Sequence, residues 1–198
     1  MQSVCVYCGS SPGKSDIYLS AARDLGAEIG RRGLTLVYGG SNIGLMGEVA
    51  QAAIDAGGRV IGVIPKALAD AKIAFDGLTE LRVAKDMHER KAVMADLSDG
   101  FIAMPGGYGT YEEFFEALTW LQLGIHAKPC GVLNVNGYYN QLLAFIDHAV
   151  DEGFIYEPHR DLILSAERSD ALLDKLNAFQ PVLISKTEWA QQMGKHKK

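Results

Sequence analysis

The chain has little of what marks an extracellular, membrane or polyanion-binding protein. Its 198 residues include only three cysteines, at positions 5, 8 and 130, too few for a disulfide framework. No apolar run approaches the roughly 20 residues that cross a bilayer, and the apolar stretch 4–7 is far too short for a signal-peptide core. A cytoplasmic protein with no membrane partner is expected. Basic residues are in deficit, 19 Lys and Arg against 24 Asp and Glu, for a net charge of −5. DNA or RNA is therefore not an expected partner. The five histidines show no HExxH or similar spacing, so no metal is expected. No repeat, low-complexity segment or Pro- or Ser-rich linker divides the chain. One domain over 1–180 is expected, followed by a tail, 181–198, that ends in KHKK.

What is present is an alternation of short β-rich runs with helical stretches. Strands are expected at 3–8, 34–38, 59–64, 100–104, 130–135 and weakly at 162–164. Helices are expected at 16–32, 45–56, 87–97, 111–123, 139–152 and 170–179. The strands are near-continuous apolar runs such as VCVY and LTLVY, as in a parallel sheet covered by helices on both faces. The pattern implies an α/β fold with a doubly wound parallel sheet. Segment 65–85 is the least regular and reads as a loop near the site.

Three of the strands run into glycine-rich loops: Gly9-Ser10-Ser11-Pro12-Gly13, Gly39-Gly40-Ser41-Asn42-Ile43-Gly44, and Pro105-Gly106-Gly107-Tyr108-Gly109-Thr110. Glycine lets backbone N–H groups approach a phosphate, and a following helix adds its positive N-terminal dipole. In open α/β sheets ligands bind beyond the carboxyl ends of the strands, where strand order reverses. If strand order is Rossmann-like, the first and third loops face each other across that crevice. One such loop alone would only make a tight turn; three at one edge point to phosphate binding.

Sharper motifs fail on inspection. The run from Gly9 to Ser15 is one residue short of a P-loop, and Pro12 removes an N–H that such a cradle needs. Gly9-Ser10-Ser11-Pro12-Gly13 satisfies GxSxG, yet Pro12 again lacks the N–H for an oxyanion hole. No strict GxGxxG is present. The CxxC of Cys5 and Cys8 lies in a strand, where residues three apart face opposite ways, so both read as core residues.

Charges sit where a helix should be apolar. At about 100° per residue, Met87, Met94 and Leu97 share one face of 87–97, with Arg90 between them and Lys91 at its edge. Either their aliphatic stems pack while the heads reach water, or the heads reach an anion in the crevice, Arg90 being the better suited. On the second reading Arg90 has no structural partner, so Arg90→Ala abolishes turnover with stability little changed; on the first the variant unfolds while activity per folded molecule stays normal. Thr110-Tyr111-Glu112-Glu113 reads T-x-x-E, a capping box with Glu113 reaching back to the start of the helix. The same placement sets the Glu113 carboxylate in the crevice, where it could serve as a base. Glu112 and Glu116 read as solvated or structural.

The run from Pro105 to Glu113 resembles the PGGxGTxxE motif of the Lonely Guy family, whose members are cytokinin riboside 5′-monophosphate phosphoribohydrolases, many formerly labelled lysine decarboxylases. Residues 86–91, 38–47 and 131–139 are similar to other stretches of that family, so the likeness spans roughly 2–180. The resemblance implies a Rossmann-like fold and a homodimer. It implies no cofactor, and a nucleoside 5′-monophosphate as substrate. It implies Arg90 and Glu113 as catalytic residues. The substrate-binding set is Lys91, Gly106, Gly107, Tyr108, Gly109, Thr110, Glu112 and Thr119, with Gly9, Ser10, Gly39, Gly40 and Met87 added from the loops and the helix before the motif. One departure bears on base or side-chain preference. Plant members carry a Glu shortly after the Pro-Lys that follows the third expected strand, where this chain has Ala67 after Pro65-Lys66. No lysine has a local sequence that marks it for the Schiff-base chemistry of a decarboxylase. The competing reading is a non-catalytic nucleotide or cofactor carrier on the same fold, which would need no acid at Glu113.

Overall fold

In a computed structural model of the chain, described for residues 1–71 and 73–181, seven parallel strands form one sheet. Apart from Pro181, the expected tail lies outside the described residues. The strands are β1 (Ser3–Tyr7), β2 (Thr35–Tyr38), β3 (Arg59–Pro65), β4 (Glu80–Ala84), β5 (Phe101–Ala103), β6 (Cys130–Leu133) and β7 (Ile163–Ala166). Their order is β4-β3-β2-β1-β5-β6-β7. The chain winds outward from β1 to β4, returns to the centre, and winds the other way from β5 to β7. The reversal falls between β1 and β5, which pair directly, so the first and third glycine loops meet as the sequence implied.

The apolar runs follow from burial on both faces. Val4, Val6 and Cys8 enter one core with helices α1 (Asp16–Arg31), α2 (Gly44–Asp55) and α8 (Ser169–Ala178). Cys5 and Tyr7 enter a second core, under α4 (Met87–Asp96), α5 (Tyr108–Gln122) and α6 (Asn140–Asp151). Cys5 and Cys8 thus lie on opposite faces, and burial pushes both thiols well above the ordinary thiol range.

Four features differ from the sequence reading. Segment 65–85 is not a bare loop: it holds a short helix, α3 (Lys66–Asp70), and the edge strand β4. Because β4 is at the edge, only Ala84 of its five residues is buried, and Glu80 and Arg82 pair on its open side. That leaves no apolar run to read. The segment still lies at the site, since Asn42 N–H donates to Ile73 O and Phe75 N–H to Gly40 O. A further short helix, α7 (Glu157–Arg160), precedes β7. The third difference is the start of α5, three residues earlier than expected: Gly107 is the N-cap and no side chain caps it. Thr110 is inside the helix, so the expected capping box does not exist. The fourth is the face of α4, which buries Arg90, Lys91, Met94 and Ala95 and leaves Met87 exposed.

Helices α1 and α2 touch backbone to backbone. A Cβ on Gly26 would lie 2.2 Å from Val49 O, and one on Gly30 would lie 2.8 Å from Ala53 O. Ala at position 26 gains about 0.8–1.0 kcal/mol of helix propensity over Gly, but a clash with backbone cannot be relieved by a rotamer change. Gly26→Ala is expected to cost about 1–3 kcal/mol net, as overpacking does. Urea unfolding checks this, and a variant as stable as the parent would contradict the close helix contact.

Candidate active site

The site is built from the carboxyl ends of β1, β2, β3 and β5. Helix α4 is started by Asp86, whose side chain accepts from Glu89 N–H at 2.9 Å, while Glu89 accepts from Lys85 N–H at 2.6 Å. A cap related to the one expected on α5 is therefore found on α4, with Glu89 reaching the residue before the N-cap rather than the N-cap itself. It fixes the turn that carries Arg90. The Arg90 guanidinium reaches over the second glycine loop. A Cβ on Gly39 would lie 2.3 Å from Arg90 Nη2, so a side chain there would displace the guanidinium. Arg90 Nε–H donates to Val63 O at 3.0 Å, and Nη1 donates to Glu113 Oε1.

Arg90 is 8% exposed and Glu113 9%. Arg90 therefore neither snorkels to water nor lacks a partner, as the sequence reading had it. It forms a buried ion pair with Glu113, one and a half turns into α5. Burial raises the Glu113 carboxyl above its ordinary value, and the Arg90 charge opposes that rise without cancelling it. A carboxyl raised on folding binds its proton more tightly in the native state. Its favourable contribution to stability is complete below 4.5 and is lost as pH rises through the folded value.

Beside the pair, Lys91 Nζ donates to Glu116 Oε1 at 3.0 Å and to Glu112 Oε1. Burial pulls the Lys91 ammonium down, and the two carboxylates more than reverse this. Lys91 and Glu112 thus hold α4 to α5 alongside the catalytic candidates. A cavity of about 380 Å³ opens between the first and third glycine loops, walled by residues 9–13 and 105–107 with Tyr18, Leu45 and Tyr138. Gly9, Ser10, Gly106 and Gly107 line it as expected; Arg90, on α4, and Glu113, on the second turn of α5, do not.

The glycines of the third loop fall into two kinds. A Cβ on Gly106 would strike Thr110 Oγ1 at 2.1 Å and Gly9 N at 2.9 Å, so Gly106 serves packing between loops. A Cβ on Gly107 or Gly109 would meet nothing, so these two are not required by contacts within the chain. They lie in the first turn of an uncapped helix, whose N–H groups lack intrahelical partners. Close approach of an anion is a use for both.

The remaining expected residues are dispersed. Tyr108 is 92% exposed at the same helix end, and Thr110 is buried against Gly106. Gly40, at φ +75°, packs on β3 beneath the 65–85 segment. Met87 is on the open side of α4. Thr119 is exposed about 18 Å along α5 from Gly107, with its hydroxyl donating to Phe115 O at 2.6 Å; this chain alone does not bring it to the crevice. Sequence reasoning assigned no role to Tyr138 and Tyr139, whose hydroxyls reach the third loop: Tyr138 Oη donates to Gly106 O at 2.5 Å and Tyr139 Oη to Met104 O at 2.6 Å. Two tyrosines directly after a strand were the available signal. Among the described residues no group of three or more His, Cys, Asp or Glu could hold a metal ion. No helix among them is long and apolar enough to cross a membrane.

The strand order and the crevice at its reversal define a Rossmann-like α/β protein with a site at the switch point. Residues 46–176 match the family described as "Possible lysine decarboxylase". The chain is 54% identical over 189 residues to cytokinin riboside 5′-monophosphate phosphoribohydrolase LOG5 of Arabidopsis thaliana, covering 94% of this chain and 83% of that protein. It is 56% identical over 177 residues to the probable enzyme LOGL3 of Oryza sativa subsp. japonica, covering 89% and 84%. The chain belongs to this family, the Lonely Guy family of phosphoribohydrolases. The molybdenum cofactor binding protein of Rippkaea orientalis shares the fold, with a TM-score of 0.68 at 23% identity over 89% of this chain and 95% of that one.

Removing one member of a buried ion pair strands the other. Arg90→Ala is expected to cost about 3–5 kcal/mol in urea unfolding at neutral pH, with a smaller loss at acid pH, where Glu113 protonates. Replacing both residues by apolar ones of similar size should recover most of that loss. A stability for Arg90→Ala equal to the parent's would contradict the pair.

Proposed function

We propose that the chain hydrolyses the N-glycosidic bond of a nucleoside 5′-monophosphate, giving the free base and ribose 5-phosphate. The observation that carries this is the buried Glu113 carboxylate, held by Arg90 one and a half turns beyond the uncapped, glycine-lined start of α5. The phosphate is taken by the Gly107–Gly109 turn, where backbone N–H groups and the helix dipole favour an anion. Glu113 lies about 9 Å further along the helix axis, which suits the length of a sugar phosphate.

In the reaction the bond from C1′ to the base nitrogen breaks, and its electron pair leaves with the base, which acquires a proton. A water oxygen forms the new bond to C1′, and Glu113 takes the proton that water loses and releases it to solvent, from which the base nitrogen draws the proton it gains. The ionised carboxylate also stabilises the positive charge that develops on the ribosyl centre. A raised pKa makes Glu113 a stronger base than an exposed glutamate. Arg90 acts as the positioning residue: its contacts to Val63 O and Glu113 hold the carboxylate in place.

Two other readings fit less well. Decarboxylation of lysine on a Schiff-base lysine needs an amine free to react, and Lys91, the lysine next to the pair, is engaged by two carboxylates. A non-catalytic carrier gives no reason to bury a carboxylate beside the phosphate turn; the likeness to the cofactor-binding Rippkaea protein, at 23% identity, concerns the fold alone.

A homodimer in the cytoplasm is part of the same proposal. The edge strand β4 leaves Leu81 and Val83 exposed, and neighbouring α3 and α4 add Leu68 and Met87. Such apolar surface on an edge strand is normally covered. Light scattering at micromolar concentration should give twice the 21.4 kDa chain mass; a monomer mass would contradict it.

The activity is tested by substrate choice and by one substitution. AMP should release free adenine and adenosine should not; equal turnover of the two would end the phosphate assignment. Glu113→Gln keeps a hydrogen-bond acceptor for Arg90 but cannot take a proton, so kcat should fall about 10²–10⁴-fold with AMP binding retained. Glu112→Gln should do far less. Near-parental kcat in Glu113→Gln would remove Glu113 from the mechanism.

A further inference from the structure

Gly106 and Gly107 in the third loop have no side chains to set the direction of their peptide groups, yet a phosphate turn works only if its N–H groups are aimed. Its carbonyls show how this is done. Met104 O accepts from Tyr139 Oη at 2.6 Å, Pro105 O from Gly9 N–H at 3.1 Å, Gly106 O from Tyr138 Oη at 2.5 Å, and Gly107 O from Tyr111 N–H at 3.1 Å. Four consecutive carbonyls are thus taken by the protein. In a trans peptide the C=O of one residue and the N–H of the next point opposite ways, and no cis bond is found among the described residues. Fixing Gly106 O therefore fixes Gly107 N–H, directed away from Tyr138.

The Tyr138 hydroxyl is itself held. Its oxygen lies 2.6 Å from Tyr111 Oη. Tyr138 has one proton, and a carbonyl can only accept, so that proton goes to Gly106 O and Tyr111 must be the donor to Tyr138. The result is a relay: Tyr111 O–H to Tyr138 Oη, and Tyr138 O–H to Gly106 O. Burial and this bond push the Tyr111 hydroxyl up to about 12, so it stays a donor across the working pH range. Tyr111 stands on the first turns of α5, so the relay ties the helix to the loop that begins it. The Tyr138 ring also walls the 380 Å³ cavity, edge-on to Tyr18 at 6.0 Å between centroids.

We propose that Tyr138, supported by Tyr111, is a positioning residue for phosphate recognition: it sets the Gly106–Gly107 peptide so that Gly107 N–H faces the 5′-phosphate of the substrate. The inference rests on the phosphoribohydrolase reading for its ligand, and on the relay for its residue.

Tyr138→Phe removes one hydroxyl and keeps the ring. The expected result is a roughly three- to tenfold weaker binding of ribose 5-phosphate by calorimetry. KM for AMP should rise by the same factor, with kcat within about twofold and the melting temperature close to the parent's. Tyr111→Phe should shift both in the same direction by less. A purely structural role would instead lower the melting temperature, or scale kcat with the folded fraction and leave KM unchanged; that pattern overturns the proposal. So does unchanged ribose 5-phosphate affinity in Tyr138→Phe when the parent binds it. If the parent itself fails to bind ribose 5-phosphate, the phosphate turn is wrong and the proposal falls with it. If the parent binds ribose 5-phosphate but does not cleave AMP, the hydrolase reading fails while the positioning role is still decided by the affinity of the variant.

Discussion

The ion pair between Arg90 and Glu113 is the constraint around which the carboxyl edge of the sheet is arranged. Burying two opposite charges costs several kcal/mol per ion before their attraction and hydrogen bonds offset it. Such a pair is a poor device for stability alone, and apolar replacements often serve a fold better. Its neighbours nonetheless make room for it. Gly39 leaves the space that the guanidinium occupies. Val63 gives up its carbonyl at the end of β3. The cap formed by Asp86 and Glu89 fixes the turn that carries Arg90. Three elements are thus committed to holding one carboxylate in a place where burial strengthens it as a base.

The sheet order supplies the second requirement, a crevice. Because β1 and β5 are adjacent and their following helices leave on opposite faces, the loops after them separate and leave a gap. The contact of Gly9 with Gly106 closes the floor of that gap. Helix α5 then joins the two halves of the site: its uncapped first turn is suited to a phosphate, and its second turn carries Glu113. One helix fixes the spacing between anion site and carboxylate, which a pair of loops could not hold as well.

Much of this was legible from residue patterns, and what was not has physical causes. Apolar runs at β1, β2, β3, β5 and β6 betrayed strands buried on both faces, and glycines after three of them marked the crevice. Strand β4 escaped because an edge strand buries little: charged Glu80 and Arg82 alternate with Leu81 and Val83, and no continuous run forms. The T-x-x-E at Thr110 looked like a helix start because local spacing cannot reveal a glycine N-cap three residues earlier. Arg90 and Glu113 were identifiable as odd charges, but the bond between them spans 23 positions in sequence, beyond any local signal. The Tyr138 bond to Gly106 spans 32 and was missed for the same reason. Thr119 and Met87 came from family likeness and the helix face, and a single chain gives them no place in the crevice.

The central claim is that Glu113 is a buried base whose ionisation controls cleavage. It is tested most directly by the pH dependence of kcat/KM for AMP in the parent and in Glu113→Gln. Burial raises this carboxyl above 4.5, and only the ionised form can accept a proton. In the parent, kcat/KM is expected to rise with pH through an apparent pKa above 4.5, and this acid limb is expected to be missing from the residual activity of Glu113→Gln. An acid limb at or below 4.5, or one that persists unchanged in the variant, would contradict the claim.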